Sequence, residues 1–137
     1  MGNEEMAALF VEWNKGELDS FLIEITAKIL AKKDDQGDGF VVDKILDKTG
    51  MKGTGRWTVQ EAAEVSVAAP AISSALDSRY LSGRKEERVA ASKILKGPSE
   101  MPPVDKEQLV SDLKKALYCA KVTSYAQGLS LIHISEP

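Results

Sequence analysis

Glu17-Leu18-Asp19-Ser20-Phe21-Leu22-Ile23-Glu24-Ile25-Thr26-Ala27-Lys28-Ile29-Leu30-Ala31-Lys32 is the stretch that decides the fold class. Leu18, Phe21, Leu22, Ile25 and Ile29 recur at three- and four-residue spacing, which places them on one face of an α-helix. Ile23 and Leu30 widen that face, as in a helix buried on more than one side. The spacing predicts a helix over residues 17–32.

The same period continues on both sides. Residues 3–14 form a helix with Asn3 as its cap and Met6, Leu9, Phe10 and Trp13 as its apolar stripe, broken by Asn14-Lys15-Gly16. Asp34-Asp35-Gln36-Gly37-Asp38-Gly39 mimics the start of a calcium loop. Its third position is Gln36 and its twelfth is Ile45, where a bidentate Glu is needed, so it reads as a solvated connector. Residues 40–48 form a short helix or turn with Val41, Val42, Ile45 and Leu46 inward. Helices follow over residues 58–67, ended by Pro70, and over residues 71–81, with Ile72, Ala75, Leu76 and Tyr80 inward and Ser82-Gly83 as the stop. Another spans residues 84–96, with Val89, Ala90, Ile94 and Leu95 on its apolar side and Gly97-Pro98 after it. Met101-Pro102-Pro103 makes a stiff link. The last helix, residues 106–128, opens on Asp105 and Gln108 as a capping box and turns Leu109, Leu113, Ala116, Leu117, Ala120 and Ser124 inward. Tyr118 and Tyr125 lie near one side of it. No alternating strand pattern and no repeat interrupts the series, so an all-α, multi-helix bundle follows.

Length and composition bound the function. The chain's 137 residues are enough for one domain, and 43% hydrophobic with 28% charged residues is ordinary globular composition. A net charge of −3, with no basic block, argues against nucleic acid or an anionic membrane as partner. No apolar run approaches the roughly 18 residues of a transmembrane helix. The single cysteine, Cys119, excludes an intrachain disulfide, and the single histidine, His133, makes a catalytic triad or a multi-histidine metal site improbable. No metal is expected.

One stretch carries chemistry. Lys52-Gly53-Thr54-Gly55-Arg56-Trp57-Thr58 puts two cations and two glycines in five residues. Glycines let backbone approach a ligand, and successive N–H groups in such a turn make an anion-binding concavity. Thr58 with Glu61 forms a capping box, so a helix opens just after the loop and adds its N-terminus to the site. The spacing is neither a Walker A loop nor a dinucleotide fingerprint. A surface turn capping a helix would show the same residues.

Several stretches together resemble the 6-phosphogluconate dehydrogenase family, NADP-dependent oxidative decarboxylases of the pentose phosphate pathway. They are Glu12-Trp13-Asn14-Lys15-Gly16-Glu17-Leu18-Asp19-Ser20-Phe21-Leu22-Ile23-Glu24-Ile25-Thr26, residues 47–58 with the Lys-Gly-Thr-Gly core, and Arg79-Tyr80-Leu81-Ser82. Ala91-Ser92-Lys93, Lys115-Ala116-Leu117-Tyr118 and Ser124-Tyr125-Ala126-Gln127-Gly128 complete the set, collinear over residues 3–128. The resemblance implies part of an all-α C-terminal domain, roughly its first half, over residues 1–128. It also implies that Lys52 and Arg79 hold the 6-phosphate of 6-phosphogluconate and that Thr54 adds a hydroxyl. A phosphate dianion needs cations and donors, and Arg offers a planar two-donor fork.

The departures are as informative. The family's catalytic lysine and glutamate, its Rossmann domain for NADP and the residues lent by the partner of its homodimer have no counterpart in these 137 residues. No catalytic or cofactor-binding residue is therefore expected in this chain, and no turnover from it alone. Residues 129–137, Leu-Ser-Leu-Ile-His-Ile-Ser-Glu-Pro, resemble the translated mosaic end of a transposon-based sequencing adapter, which implies a non-native tail and no role for His133. Cytoplasmic location is expected, with a plastid form equally compatible. The alternative to an enzyme fragment is a non-catalytic helical module that binds a sugar phosphate or a partner protein.

Overall fold

The computed structural model describes residues 1–50, 52–98 and 103–135. It is all-α, and among the described residues the only sheet-type pairing is an isolated bridge between Lys33 and Phe40. The chain divides into two compact units, Met1–Leu46 and Asp47–Pro137.

In the first unit α1 (Asn3–Trp13) packs on α2 (Phe21–Ala31). Gly2, not Asn3, is the N-cap of α1, and the Asn3 amide donates instead to Asp43 at 2.8 Å. The predicted helix over residues 17–32 begins four residues late. Ser20 is its cap, accepting from the Ile23 N–H at 3.2 Å, while the Asn14 carboxamide oxygen accepts from the Ser20 N–H at 3.0 Å. Leu18 stays in the connecting turn and is 1% exposed, plugging the hairpin. The predicted inner face is overturned too. Phe21 and Leu22 are 71% and 67% exposed and Ile25 is half-buried, while on the opposite side Ala27 is buried and Ile23 and Leu30 are half-buried. Small residues decide this: buried Ala7 on α1 and buried Ala27 on α2 let the backbones approach where larger side chains would hold them apart.

The Asp34 connector binds itself together as an Asx turn, with the Gln36 N–H donating to Asp34 at 3.1 Å and Lys44 paired to the same carboxylate. Lys33 reaches Glu4 and lies over the Phe40 ring, 4.4 Å from its centroid. Residues 40–48 reduce to one 3-10 turn, Val41–Lys44, with Ile45 and Leu46 exposed rather than inward.

The second unit holds α3 (Thr54–Glu64), α4 (Pro70–Gly83), α5 (Lys85–Ser92) and α6 (Lys106–Ser135). α3 starts at Thr54, four residues before the predicted cap. Thr58 lies within the helix and donates back to the Thr54 carbonyl at 2.9 Å. It ends before Pro70 acts, in a Schellman motif: the Val67 N–H donates to the Ala62 carbonyl at 2.8 Å and the Ser66 N–H to the Ala63 carbonyl at 3.3 Å. Ser66 takes φ 58° there, and buried Val67 and Ala62 supply the apolar contact that accompanies such a stop.

α4 buries Leu76 and half-buries Ile72, but Ala75 and Tyr80 are exposed. α5 is shorter than predicted, and Val89, Ile94 and Leu95 are exposed rather than packed. In the Met101-Pro102-Pro103 link, Met101 and Pro102 lie outside the described residues. Asp105 caps α6 as predicted, accepting from the Gln108 N–H at 3.1 Å, but the Gln108 side chain turns away to Asp112, so the capping box is only half made. α6 runs unbroken through residues 129–135, past the predicted end at Gly128, while Glu136 and Pro137 lie outside the described residues. The predicted inner face of α6 meets α4 only toward its C-terminal part; Leu109, Leu113 and Leu117 are exposed.

Candidate functional site

The site is built on residues 47–55 of the second unit, and α4 and α5 hold that segment in place. Arg88 donates through Nη1 to the Asp47 carboxylate at 3.0 Å and through Nη2 to the Asp47 and Ser82 carbonyls at 2.9 and 3.2 Å. That hydrogen bond, then the guanidinium charge, holds the Asp47 carboxyl below its ordinary pKa. The Ser82 hydroxyl accepts from the Thr49 N–H at 3.1 Å. Arg79 completes the anchoring: its Nε donates to the Gly50 carbonyl at 3.1 Å, and Nη2 donates to the same oxygen.

This clamp uses two of the five N–H donors of Arg79. The end-on edge of the guanidinium, one hydrogen each of Nη1 and Nη2, keeps the two-donor fork that a carboxylate or phosphate needs. Arg79 thus fixes the loop with one edge and offers the other to the cleft.

Beyond the clamp the chain passes Lys52 and turns at Gly53, whose φ of 111° an L side chain rarely adopts. A Cβ at Gly53 would meet the Trp57 ring at 3.4 Å. Gly53 supplies no side-chain cap to α3, and the first intrahelical bond runs from the Trp57 N–H to the Gly53 carbonyl at 3.0 Å. The N–H groups of Thr54, Gly55 and Arg56 therefore have no partner in the helix. Three orphan donors and the positive end of a helix dipole open beside a cleft.

That cleft has a volume of about 370 Å³ and is lined by Lys52, Thr54, Gly55, Leu76, Arg79 and Ser124, with Ala71, Ile72 and Ala75 along its floor. No carboxylate lines it. Gly55 lies against Leu76: a Cβ there would be in ordinary contact with Leu76 Cδ1 at 3.5 Å. The Lys52 ammonium and the Thr54 and Ser124 hydroxyls have no hydrogen-bond or ion-pair partner among the described residues. Two cations, two hydroxyls and uncapped helix amides around one cavity are the groups that hold an anion.

The structure thus brings together Lys52, Thr54 and Arg79, the three site residues singled out in the sequence. It adds Ser124, from α6, and the supports Asp47, Ser82 and Arg88. It also adds Gln127, whose side-chain oxygen accepts from the Ala71 and Ile72 N–H groups at 3.1 and 3.3 Å. Ala69, the N-cap of α4, has no side chain to do this, and Pro70 has no N–H, so a residue some 55 positions away caps the helix. A lone polar residue in a helix gives no local signal of such a bond. Among the described residues no cluster of histidine, cysteine or carboxylate could hold a metal ion, and no helix is long and apolar enough to cross a membrane.

The family model for the 6-phosphogluconate dehydrogenase C-terminal domain matches residues 1–136. The chain is 63% identical over 131 residues to 6-phosphogluconate dehydrogenase, decarboxylating 1, of Oryza sativa subsp. japonica, covering 95% of this chain and 27% of that protein. It is 57% identical over 139 residues to the chloroplastic decarboxylating 3 enzyme of Arabidopsis thaliana, covering 96% and 28%. The Plasmodium falciparum 6-phosphogluconate dehydrogenase, solved in its apo form and with NADP+ or 6-phosphogluconate, superposes with a TM-score of 0.87 at 44% identity, over 97% of this chain and 29% of that one. The chain therefore spans a little over a quarter of the length of these relatives. It belongs to the 6-phosphogluconate dehydrogenase family, matching that family's C-terminal domain.

Proposed function

We propose that this chain supplies the phosphate-binding wall of the substrate site in an NADP-dependent enzyme that oxidises and decarboxylates 6-phosphogluconate to ribulose 5-phosphate and CO₂. The observation that carries the reading is the cleft between α3 and α4. Lys52, Thr54 and the outer edge of Arg79 converge there on the uncapped start of α3, with no acid among the lining residues. In this reading Lys52 provides a point charge, Arg79 a fork for two phosphate oxygens and Thr54 a hydroxyl. Held at its phosphate, the sugar has its reacting end positioned by remote binding energy.

The residues present do not fit NADP. There is no glycine-rich dinucleotide fingerprint, and among the described residues no strand to carry one. Hydride and proton transfer therefore fall to groups outside this chain, and the chain mixed with NADP and 6-phosphogluconate yields no NADPH. A homodimer is the proposed assembly, consistent with the exposed Leu109, Leu113 and Leu117 on α6. Cytoplasmic location is the proposed site. The chain is 63% and 61% identical to relatives whose names carry no compartment, against 55–58% for chloroplastic ones.

Calorimetric titration with 6-phosphogluconate, gluconate and inorganic phosphate tests the binding role. The two phosphates are expected to bind and gluconate not to. Lys52→Ala and Arg79→Ala should each weaken phosphate binding by about 10- to 100-fold, the range for losing a charge-assisted hydrogen bond. Equal binding of gluconate, or indifference to both substitutions, would overturn the reading.

A further inference from the structure

We propose that Ser124 is a further substrate-contacting residue, donating its hydroxyl to the phosphate bound between Lys52 and Arg79, so that α6 forms the third wall of the site. The inference rests on the phosphate reading above. Several hydroxyls in these helices donate back to their own backbone: Thr26 to the Leu22 carbonyl at 2.7 Å, Thr58 to Thr54 at 2.9 Å, Ser78 to Ser74 at 2.8 Å and Ser92 to Val89 at 2.9 Å. Ser and Thr within a helix either back-bond in this way or leave the hydroxyl free. The hydroxyls of Ser74, Ser111, Thr123 and Ser130 have no such bond among the described residues, but none of the four lines the cleft. Ser124 sits mid-helix and has no hydrogen-bond partner among the described residues, yet it lines the cleft opposite the two cations.

Its placement is enforced. One turn further along, Gln127 accepts from the Ala71 and Ile72 N–H groups at the start of α4. Ala71 and Ile72 also line the cleft, so this one side chain sets the register of α6 against the cavity floor. A hydroxyl held there is an uncharged donor. It adds a hydrogen bond to a phosphate oxygen without a third cation, which an already dicationic cleft would repel.

The test is titration of the full chain with inorganic phosphate, followed by the backbone amide resonances of Thr54 and Gly55, with thermal melts of each variant alongside. Ser124→Ala is expected to weaken binding by about tenfold, the low end for a hydrogen bond to a charged acceptor because the cleft is open to water. Its melting temperature should stay unchanged, since Ala favours the helix. Ser124→Thr keeps the hydroxyl and should bind within about twofold of the unaltered chain. If Ser124→Ala binds as the unaltered chain does while Lys52→Ala is weakened, the role of Ser124 is overturned and the phosphate site stands. If Ser124→Thr is as weak as Ser124→Ala, the effect is one of packing and the proposal is likewise overturned. If the unaltered chain shows no saturable shift, the phosphate site itself is overturned and this inference with it.

Discussion

Replacing Gln127 by Ala removes the only side-chain cap that α4 has among the described residues. The Gln127 oxygen accepts from the Ala71 and Ile72 N–H groups at 3.1 and 3.3 Å, both partly buried, and neither Ala69 nor Pro70 offers a substitute. Loss of an N-cap costs about 1 kcal/mol, within a range of about 0.5–2. A donor left unsatisfied when fully buried costs about 1–3 kcal/mol. Here water can reach the vacated amides in part, so the lower ends apply and the sum is about 1–2 kcal/mol. For a unit of this size that corresponds to a melting temperature lower by roughly 4–8 °C per kcal/mol. Far-UV circular dichroism melts of the purified chain measure it. Gln127→Glu keeps an acceptor at a helix N-terminus and should recover most of the loss. Ala69→Asp, which gives α4 a local cap, should reduce the cost of Gln127→Ala by half or more, because the two caps compete for the same donors. A Gln127→Ala chain that melts with the unaltered one, or an Ala69→Asp background that leaves the cost undiminished, would refute the argument that α6 caps α4.

Other outcomes follow from single residues. Gly53→Ala forces a side chain into φ 111° and against Trp57, and should destabilise the chain by about 1–2 kcal/mol in urea denaturation while weakening phosphate binding. Ser66→Gly relieves the left-handed conformation at the Schellman stop and should raise the urea midpoint, with about 0.5–1 kcal/mol gained; a lower midpoint would show that the Ser66 conformation is not strained. The Asp47 pKa is depressed in the folded chain, chiefly by its hydrogen bond from Arg88. Its contribution is therefore fully present above the unfolded value of about 4 and is lost as pH falls through the lower folded value. Glu4 beside Lys33 and Asp34 beside Lys44 carry the same sign. Asp47→Asn should accordingly make the acid limb of a stability–pH curve shallower without changing stability ranking among other variants, and an unaltered limb would show that the Arg88 pair does not persist in solution.

The sequence by itself determined the class of element and the chemistry of the site. Three- and four-residue spacing of apolar residues is a property of the local chain, so helices at residues 3–13, 21–31 and 70–83 were legible within a few positions, as was the start of the helix at 106, though not its end at 135. The Lys52-Gly53-Thr54-Gly55 stretch pointed to the proposed anion site because charge and backbone freedom are local as well, and Arg79 joined it through the family's motifs. What only the tertiary structure decided was which side of each helix is covered. Phe21 and Leu22 carry more apolar area than Ala27, yet Ala27 is buried, because close helix packing selects the small residue that lets two backbones approach. Helix starts shifted for a similar reason: Gly53 could take a positive φ and open α3 directly, so the Thr58 cap was never used. Gln127 caps α4 from some 55 residues away, and Ser124 lies on the same cleft as Lys52 and Arg79, through a pairing of α6 with α4 that no local pattern encodes. Periodicity and composition act over one helical turn, whereas the completed site is a property of contacts that close long loops.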